Sequence, residues 1–135
     1  MADENLFTLQ IISPDRIFYE GKASFVEMVT SEGEIGVYKN HIPMTNILVP
    51  GIIKIYEKDN VREAAIHAGF VEILPDRIIV MAEIAEWPDE IDVDRAEKAR
   101  SRAEGRISRG GAEVNIARAE AALRRSLTRL ELKGR

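Results

Sequence analysis

The sequence predicts an α+β protein of two modules, an N-terminal antiparallel β-sandwich followed by a C-terminal antiparallel α-helical hairpin. All five prolines and all eight aromatic residues lie at or before residue 88. Short runs of alternating apolar and polar residues fill the first part, which favours strands. The later part is rich in Ala, Arg and Glu, which favour helices. We therefore expect a sandwich at residues 1–87 and a hairpin at 88–135.

The first module consists of short runs separated by turn signals. Proline fixes φ and aspartate bonds its own backbone, so Ser13-Pro14-Asp15 and Pro75-Asp76-Arg77 are typical of turns. Lys58-Asp59-Asn60 has the length of a hairpin link. Strands at this spacing, with no helical pattern between them, are typical of packed antiparallel sheets. The predicted strands are 6–12, 16–20, 23–30, 52–57, 61–68, 70–74 and 78–85.

The segment from Gly33 to Pro43 is predicted to be a loop, because it contains two glycines, an aromatic residue and a proline. Two interpretations remain open. The loop is shaped for contact with a partner, or it is a sandwich corner that needs unusual backbone angles.

The first predicted helix begins at Asp92, whose carboxylate is suited to accept the unpaired amide hydrogens of the first turn. Gly110-Gly111 ends it. Its apolar residues recur at helical spacing and are mostly small, which suits close packing. They are Ala96, Ala99, Ala103 and Ile107.

The second predicted helix carries a larger apolar stripe, made of Ile116, Ala119, Leu123, Leu127 and Leu130. Two helices with an alanine-rich seam bury little area, so the hairpin is expected to be only marginally docked. Trp87, next to Pro88, is expected to pin the hairpin against the edge of the sandwich.

Charge divides the chain at the same place. Residues 1–90 hold 16 acidic and 7 basic residues, a net charge of −9, whereas residues 91–135 hold 7 and 12, a net of +5. The basic tail suits its own acidic module, an acidic partner or a polyphosphate. Nucleic acid is not an expected partner, because none of its common binding signatures is present.

No stretch of about 18 apolar residues is present, so no membrane span is expected. Met1 to Asn5 lacks the basic and apolar segments of a secretory signal, and the chain has no cysteine. A reducing, cytosolic setting is therefore expected.

The sequence gives little support for catalysis. His41 and His67 are the only histidines, and no metal-binding spacing, glycine-rich phosphate loop or nucleophile elbow is present. His67 lies in an alternating strand and is expected to be a packed or surface imidazole. We expect a noncatalytic protein with no metal site.

Five ordered segments resemble the epsilon subunits of bacterial F-type ATP synthases, to which chloroplast epsilon and mitochondrial delta subunits are similar. The resemblance covers essentially the whole chain. The segments are Gly33-Glu34-Ile35-Gly36-Val37, His41-Ile42-Pro43, Leu48 with Pro50-Gly51, Ala68-Gly69-Phe70-Val71-Glu72 and Ile91-Asp92-Val93-Asp94-Arg95-Ala96.

The resemblance implies a noncatalytic rotor subunit in the central stalk, which couples rotation of the proton-driven c ring to the catalytic head. The sandwich would grip the gamma subunit and rest on the c-subunit ring. Glu34, Ile35 and Gly36 would face the ring. His41, Ile42 and Pro43 would lie towards gamma. The protein would associate peripherally, through the complex alone, with the cytoplasmic side of the bacterial cell membrane.

The resemblance also implies that the hairpin is mobile and inhibits ATP hydrolysis when it extends along gamma. Four arginines would then meet acidic loops of the catalytic beta subunits, and of the alpha subunits: Arg118, Arg124, Arg125 and Arg129. A solvated basic face is the other interpretation of these arginines.

In some members of the family the folded hairpin binds ATP. The resemblance implies that ATP, with or without Mg, is a regulatory ligand here, while no cofactor is required. The residues that would contact it are Glu86, Ile91, Asp92, Arg95, Ala96, Arg118 and Arg125. Asp92 is equally explained as a helix cap. Two other hypotheses are a stand-alone ATP-sensing adaptor and a plain sandwich adaptor with a tail.

Overall fold

The structure is a computed structural model that describes residues 5–135, so most of the segment Met1 to Asn5, used above to judge a secretory signal, lies outside it. Eight strands precede two helices. The strands are β1 (Phe7–Ser13), β2 (Arg16–Ala23), β3 (Phe25–Thr30), β4 (Gly33–Tyr38), β5 (Met44–Leu48), β6 (Gly51–Tyr56), β7 (Val61–Ile73) and β8 (Arg77–Glu86). The helices are α1 (Val93–Arg109) and α2 (Ile116–Lys133).

The sandwich is confirmed, and it is one continuous sheet whose two parts pack on each other. Strands follow the order β2-β1-β8-β7-β5-β3-β4, with β6 bonded to β3 and β7. All pairings are antiparallel except that of β1 with β8, which is parallel. Turn signals fix the direction only of strands joined by a short turn, and β1 and β8 come from opposite ends of the module.

Strand β7 replaces two shorter predicted strands. Gly69 was expected to separate them, but it lies within one strand, where Ala68 and Gly69 have φ values of 59° and 129°. The ladder to β8 omits Ala68 and Glu83 but resumes in the same register, so the pair is locally distorted and does not turn. A side chain at Gly69 would collide with the backbone oxygen of Met81, which explains the glycine.

The predicted loop from Gly33 to Pro43 is wrong for its first half. Gly33–Tyr38 forms β4 and pairs with β3 along its whole length. Gly36 is needed because a larger residue would collide with the ring of Phe25. The glycine therefore signals close packing within a sheet, and the residues from Lys39 to Pro43 alone connect β4 to β5.

Alternation along the strands builds the sandwich core. Every second residue points inward, so the buried set has a period of two. The residues below 2% exposure include Phe7, Leu9, Ile11, Val26, Ile53, Ile55, Val71, Ile73, Ile78 and Val80.

The helical hairpin is confirmed, with the predicted first cap. The backbone N–H of Arg95 donates to the Asp92 carboxylate at 3.1 Å, and α1 ends before Gly110. Asn115 caps α2 in the same way, through the N–H of Arg118 at 3.0 Å.

The buried face of α2 differs from the predicted stripe. Ala119 is buried as expected, but Leu127 is 45% exposed and Ile116 is also exposed. Buried instead are Ser126, Thr128 and Leu132. The two hydroxyls donate to carbonyls one turn earlier, which satisfies them without a partner on another element. This helix contacts both α1 and the sheet, so its buried surface extends beyond a single stripe.

The hairpin packs against the outer face of the sandwich through the end of α2. Leu132 and Ile91 form a small apolar cluster with Ala65 of β7, beside Ile52. Polar contacts surround it: the guanidinium of Arg135 lies 2.6 Å from Glu63. No helix in residues 5–135 is long and apolar enough to cross a membrane.

Trp87 packs on the sandwich. Its ring stacks on Phe18 with centroids 4.2 Å apart, and the guanidinium of Arg62 lies 4.0 Å from the ring centre. These contacts fix the connector between the two modules to the sandwich. The following turn, Pro88–Glu90, is held by Arg16, which donates two hydrogen bonds to Glu90 at 2.8 and 2.9 Å.

Candidate functional site

A cleft of about 460 Å³ lies between the two helices and the end of the sandwich. Strand β8 and the connector supply one end, and the facing sides of α1 and α2 supply the walls. The lining residues are Glu86, Glu90, Asp92, Arg95, Ala96, Ala99, Arg102, Ala103, Arg106, Ala122, Arg125, Ser126 and Arg129. Both modules therefore contribute to one site.

Five arginines dominate the walls of this cleft. Arg95, Arg102 and Arg106 recur on α1 at spacings of seven and four, which places them on one face of the helix. Arg125 and Arg129 are one turn apart on α2. Between them lie alanines, which leave space for a ligand.

Four of these arginines lack a side-chain partner in the described part of the chain. Within residues 5–135, the side chains of Arg95, Arg102, Arg106 and Arg125 make no hydrogen bond or ion pair. Guanidinium groups held close together without counter-charges attract an anion, and they bind phosphate or carboxylate through paired hydrogen bonds. The cleft is chemically suited to a multiply charged anion.

The two glutamates at the end of the cleft, Glu86 and Glu90, already accept hydrogen bonds from other side chains. Glu86 accepts hydrogen bonds at the same oxygen, Oε1, from His67 Nε2 at 2.9 Å and from Arg129 Nε at 2.7 Å. Burial alone would raise the pKa of Glu86, but these two hydrogen bonds outweigh burial, so its pKa lies below the usual glutamate value. Arg16 lowers the pKa of Glu90 in the same way.

The cleft brings together five of the seven residues expected to contact ATP: Glu86, Asp92, Arg95, Ala96 and Arg125. Ile91 is not among the lining residues, because its side chain is buried beside Ala65 and Leu132. Arg118, in the first turn of α2, is also not among them. From the sequence, Arg129 was expected at the contact with the beta subunits, and Arg102 and Arg106 were not expected at any site. Their spacing from Arg95 was the available signal.

The arginines expected to reach the catalytic beta subunits divide into two sets. Arg125 and Arg129 line the cleft, and Arg129 is bonded to Glu86. Arg118 and Arg124 are exposed and are not among the lining residues. In the docked arrangement only the second pair faces solvent fully.

A second surface is an apolar row on the outer face of the sheet. Strand register places Ile47, Phe70, Met81, Ile12 and Ile17 side by side on five neighbouring strands. Three of these large side chains are well exposed, Ile47 at 64%, Phe70 at 43% and Ile17 at 63%. A contiguous exposed apolar patch of this kind is typical of a protein interface. We name these five residues the apolar row.

The expected partner contacts have different settings. Ile42 and Pro43 are exposed just before β5, and His41 Nδ1 lies 2.7 Å from the carbonyl of Ile42. Glu34 and Gly36 are exposed on β4, whereas Ile35 is partly buried against the core. Among the described residues, no group of three metal-ligating side chains could hold an ion.

Comparison with known proteins agrees with both modules. The family model for the beta-sandwich domain of the ATP synthase delta/epsilon chain matches residues 6–88. The model for the long alpha-helix domain of the same chain matches residues 89–134.

Bacterial relatives cover nearly the full chain. The ATP synthase epsilon chain of Shouchella clausii is 40% identical and aligned over 92% of both chains. That of Halalkalibacterium halodurans is 39% identical over 94% of this chain and 96% of its own.

A solved structure shares the fold. A chain in the mitochondrial ATP synthase of Euglena gracilis, determined as OSCP/F1/c-ring, superimposes with a TM-score of 0.84 at 22% identity. The match covers 97% of this chain and 82% of that one. Taken together, the two family models and the near-full-length relatives show that this chain belongs to the ATP synthase delta/epsilon family, with the bacterial epsilon chains.

Proposed function

We propose that this chain is a noncatalytic central-stalk subunit of an F-type ATP synthase and that its docked hairpin holds ATP. The observation that carries the proposal is a cleft that both modules line and that contains four arginines without a partner among residues 5–135. A ligand there binds the docked arrangement and not a separated one, so it stabilises docking by mass action.

The charge distribution of the cleft fits a nucleotide. Arg102, Arg106 and Arg125 supply the positive charge that a triphosphate requires. Asp92, Arg95 and Ala96, at the start of α1, provide polar groups and a small side chain for the base or ribose. ATP then acts as a regulatory ligand, with or without Mg, and undergoes no reaction.

Release of the hairpin would expose the same arginines to a new partner. Once α2 leaves the sandwich, Arg125 and Arg129 join Arg118 and Arg124 as accessible positive charges. The proposed partners are acidic loops of the catalytic beta subunits, and of the alpha subunits. Pairing of these loops with the arginines would inhibit ATP hydrolysis. ATP in the cleft would oppose this by holding the hairpin down.

The sandwich is proposed to join the stalk through its apolar row. A long coiled-coil subunit such as gamma would cover these exposed side chains, with His41, Ile42 and Pro43 beside the contact. Glu34, Ile35 and Gly36 would meet polar loops of the c-subunit ring. Membrane association on the cytoplasmic side of the bacterial membrane then follows from the complex alone.

Calorimetry on the isolated chain tests the ligand. We expect ATP to release or absorb measurable heat on binding, and the double variant Arg102→Ala/Arg125→Ala to weaken affinity by about 100-fold, because two charge-assisted contacts are lost. Arg124→Ala is the matched control, since this neighbouring arginine does not line the cleft. Binding unaffected by the double variant would refute the site.

Co-purification tests the assembly. The wild-type chain should be recovered with a coiled-coil subunit and a membrane ring, whereas Phe70→Asp, which places a charge in the apolar row, should be recovered alone. Glu20→Gln, an exposed change on β2, is the control. A chain that binds ATP but never joins a larger assembly would favour the stand-alone ATP-sensing adaptor.

A further inference from the structure

We infer that His67 is a positioning residue for the cleft: it holds the Glu86 carboxylate in the place where that carboxylate anchors Arg129 of α2. His67 does not line the cleft and is only 1% exposed. The part of the inference that concerns ATP affinity rests on the proposed function. The part that concerns docking of α2 does not.

The strand register explains how His67 reaches Glu86. On β7, Ala65 pairs with Glu86 and His67 pairs with Ile84 of β8. His67 and Glu86 are therefore diagonal neighbours on one face, within reach of long side chains. Ala65 on that face packs against Leu132 and Ile91, so this is the face that the hairpin covers.

A local distortion of β7 follows His67 directly. Ala68 and Gly69 adopt positive φ values, which interrupts the alternation directly after His67. His67 thus occupies the last outward position in the first half of β7, the half whose Ala65 packs against Leu132 of α2.

The hydrogen-bond chemistry assigns His67 one role. An ionised carboxylate only accepts hydrogen bonds, so Nε2 must carry the proton donated to Glu86. In that tautomer Nδ1 has a lone pair, and it is buried with no partner in the part of the chain described. An apolar side chain would avoid this unsatisfied atom, and only the donation to Glu86 offsets it.

Glu86 then transmits the constraint to α2. Its Oε1 receives both His67 and Arg129, at 2.9 and 2.7 Å, so one oxygen joins β7, β8 and α2. Without the imidazole, the Glu86 side chain is free to change rotamer, and Arg129 loses a fixed anchor at the end of the cleft. His67 consequently influences a site that it does not touch.

Two substitutions separate donation from space filling. His67→Leu fills the same space with an apolar side chain and removes the hydrogen-bond donor, whereas His67→Gln keeps an N–H donor. Because the chain contains no cysteine, Lys58→Cys and Glu120→Cys can be labelled specifically to report the distance between the sandwich and α2. ATP affinity is measured on the same variants by calorimetry.

We expect His67→Leu to populate longer distances without ligand and to weaken ATP binding by about tenfold, the effect of losing a hydrogen bond to a charged group. His67→Gln should stay within about threefold of the wild type. In a Glu86→Ala background, His67→Leu should add no further loss. If His67→Leu does not fold, His67→Met replaces it as a more adaptable apolar side chain.

Equal behaviour of the Leu and Gln variants would overturn the inference, as would an undiminished effect of His67→Leu in the Glu86→Ala background. A wild-type chain that gives no heat with ATP would instead refute the proposed ligand. In that case the distances without ligand would still decide whether His67 positions Glu86.

Discussion

The sandwich and the hairpin are held by different forces. Large apolar side chains such as Leu9, Ile55 and Val80 are fully buried in the sandwich. The hairpin seam uses Ala96, Ala103 and Ala119, and its docking surface is a small apolar cluster surrounded by ion pairs. The sandwich is therefore a permanent platform, whereas the position of the hairpin depends on a few contacts.

The magnitudes support this difference. Burial of a leucine contributes roughly 1.5–3 kcal/mol, and an exposed ion pair contributes about 0–1 kcal/mol. Docking of α2 through Leu132, Ile91 and a few polar contacts is thus worth only several kcal/mol. A ligand present at 100 times its Kd adds about 2.7 kcal/mol, which is a comparable quantity. Under the proposed function, a ligand or partner bound this tightly would be enough to change where the hairpin lies.

The largest expected effect comes from the sandwich core. Leu9→Ala should lower the free energy of unfolding by about 3 kcal/mol, because it removes a fully buried side chain and leaves a cavity. Urea denaturation followed by circular dichroism measures it. Leu127→Ala, on the exposed side of α2, is the control and should cost under about 1 kcal/mol. Similar losses for both leucines would remove the contrast between the modules.

A smaller effect is expected at the bond between Glu86 and α2. The pKa of this carboxyl is below its ordinary value of 4.5 when the hairpin is docked. Because the pKa is depressed, the ionised Glu86 carboxylate contributes fully to docking above pH 4.5, and this contribution is lost as the pH falls below 4.5. The distance between labels at positions 58 and 120 should therefore lengthen as the pH is lowered below 4.5.

Glu86→Gln should abolish most of this pH dependence and should give a longer distance already at pH 7. Glu113→Gln, an exposed carboxylate between the helices, is the control and should behave as the wild type. A Glu86→Gln chain with the original pH profile would show that other carboxylates govern docking.

The smallest effect is expected at the end of α2. Arg135 lies 2.6 Å from Glu63 of β7 and 2.9 Å from Glu131, yet all three side chains are partly exposed. Arg135→Ala should therefore shift docking by at most about 1 kcal/mol, and less in high salt. Label distances at low and high salt measure this. If Arg135→Ala lengthened the label distance as much as Glu86→Gln does, the expected order of these two effects would be contradicted.

The local features of the fold were accessible from sequence because they depend on neighbouring residues. Pro14 and Pro75 marked turns, Asp92 marked a cap, and Gly110 marked a helix end. Each uses a backbone preference that acts within a few residues. Gly36 was placed in a loop and Gly69 between two strands, because the collisions that require these glycines involve Phe25 and Met81, which local spacing does not relate to them.

The candidate site was predicted in part. Glu86, Asp92, Arg95, Ala96 and Arg125 were expected there because the resemblance to the family implies them. Arg102 and Arg106 carry no motif of their own. They become a wall only when α1 faces α2 across the end of the sandwich.

By itself, the sequence determined the two modules, their boundary region, the opposite charges of the two parts and the resemblance to a family, because composition and short spacings encode these. The tertiary structure alone decided the parallel pairing of β1 with β8, the buried face of α2 and the meeting of His67, Glu86 and Arg129 at one oxygen. Each of those depends on residues far apart in the chain, and their mutual placement is set by packing that no local pattern records.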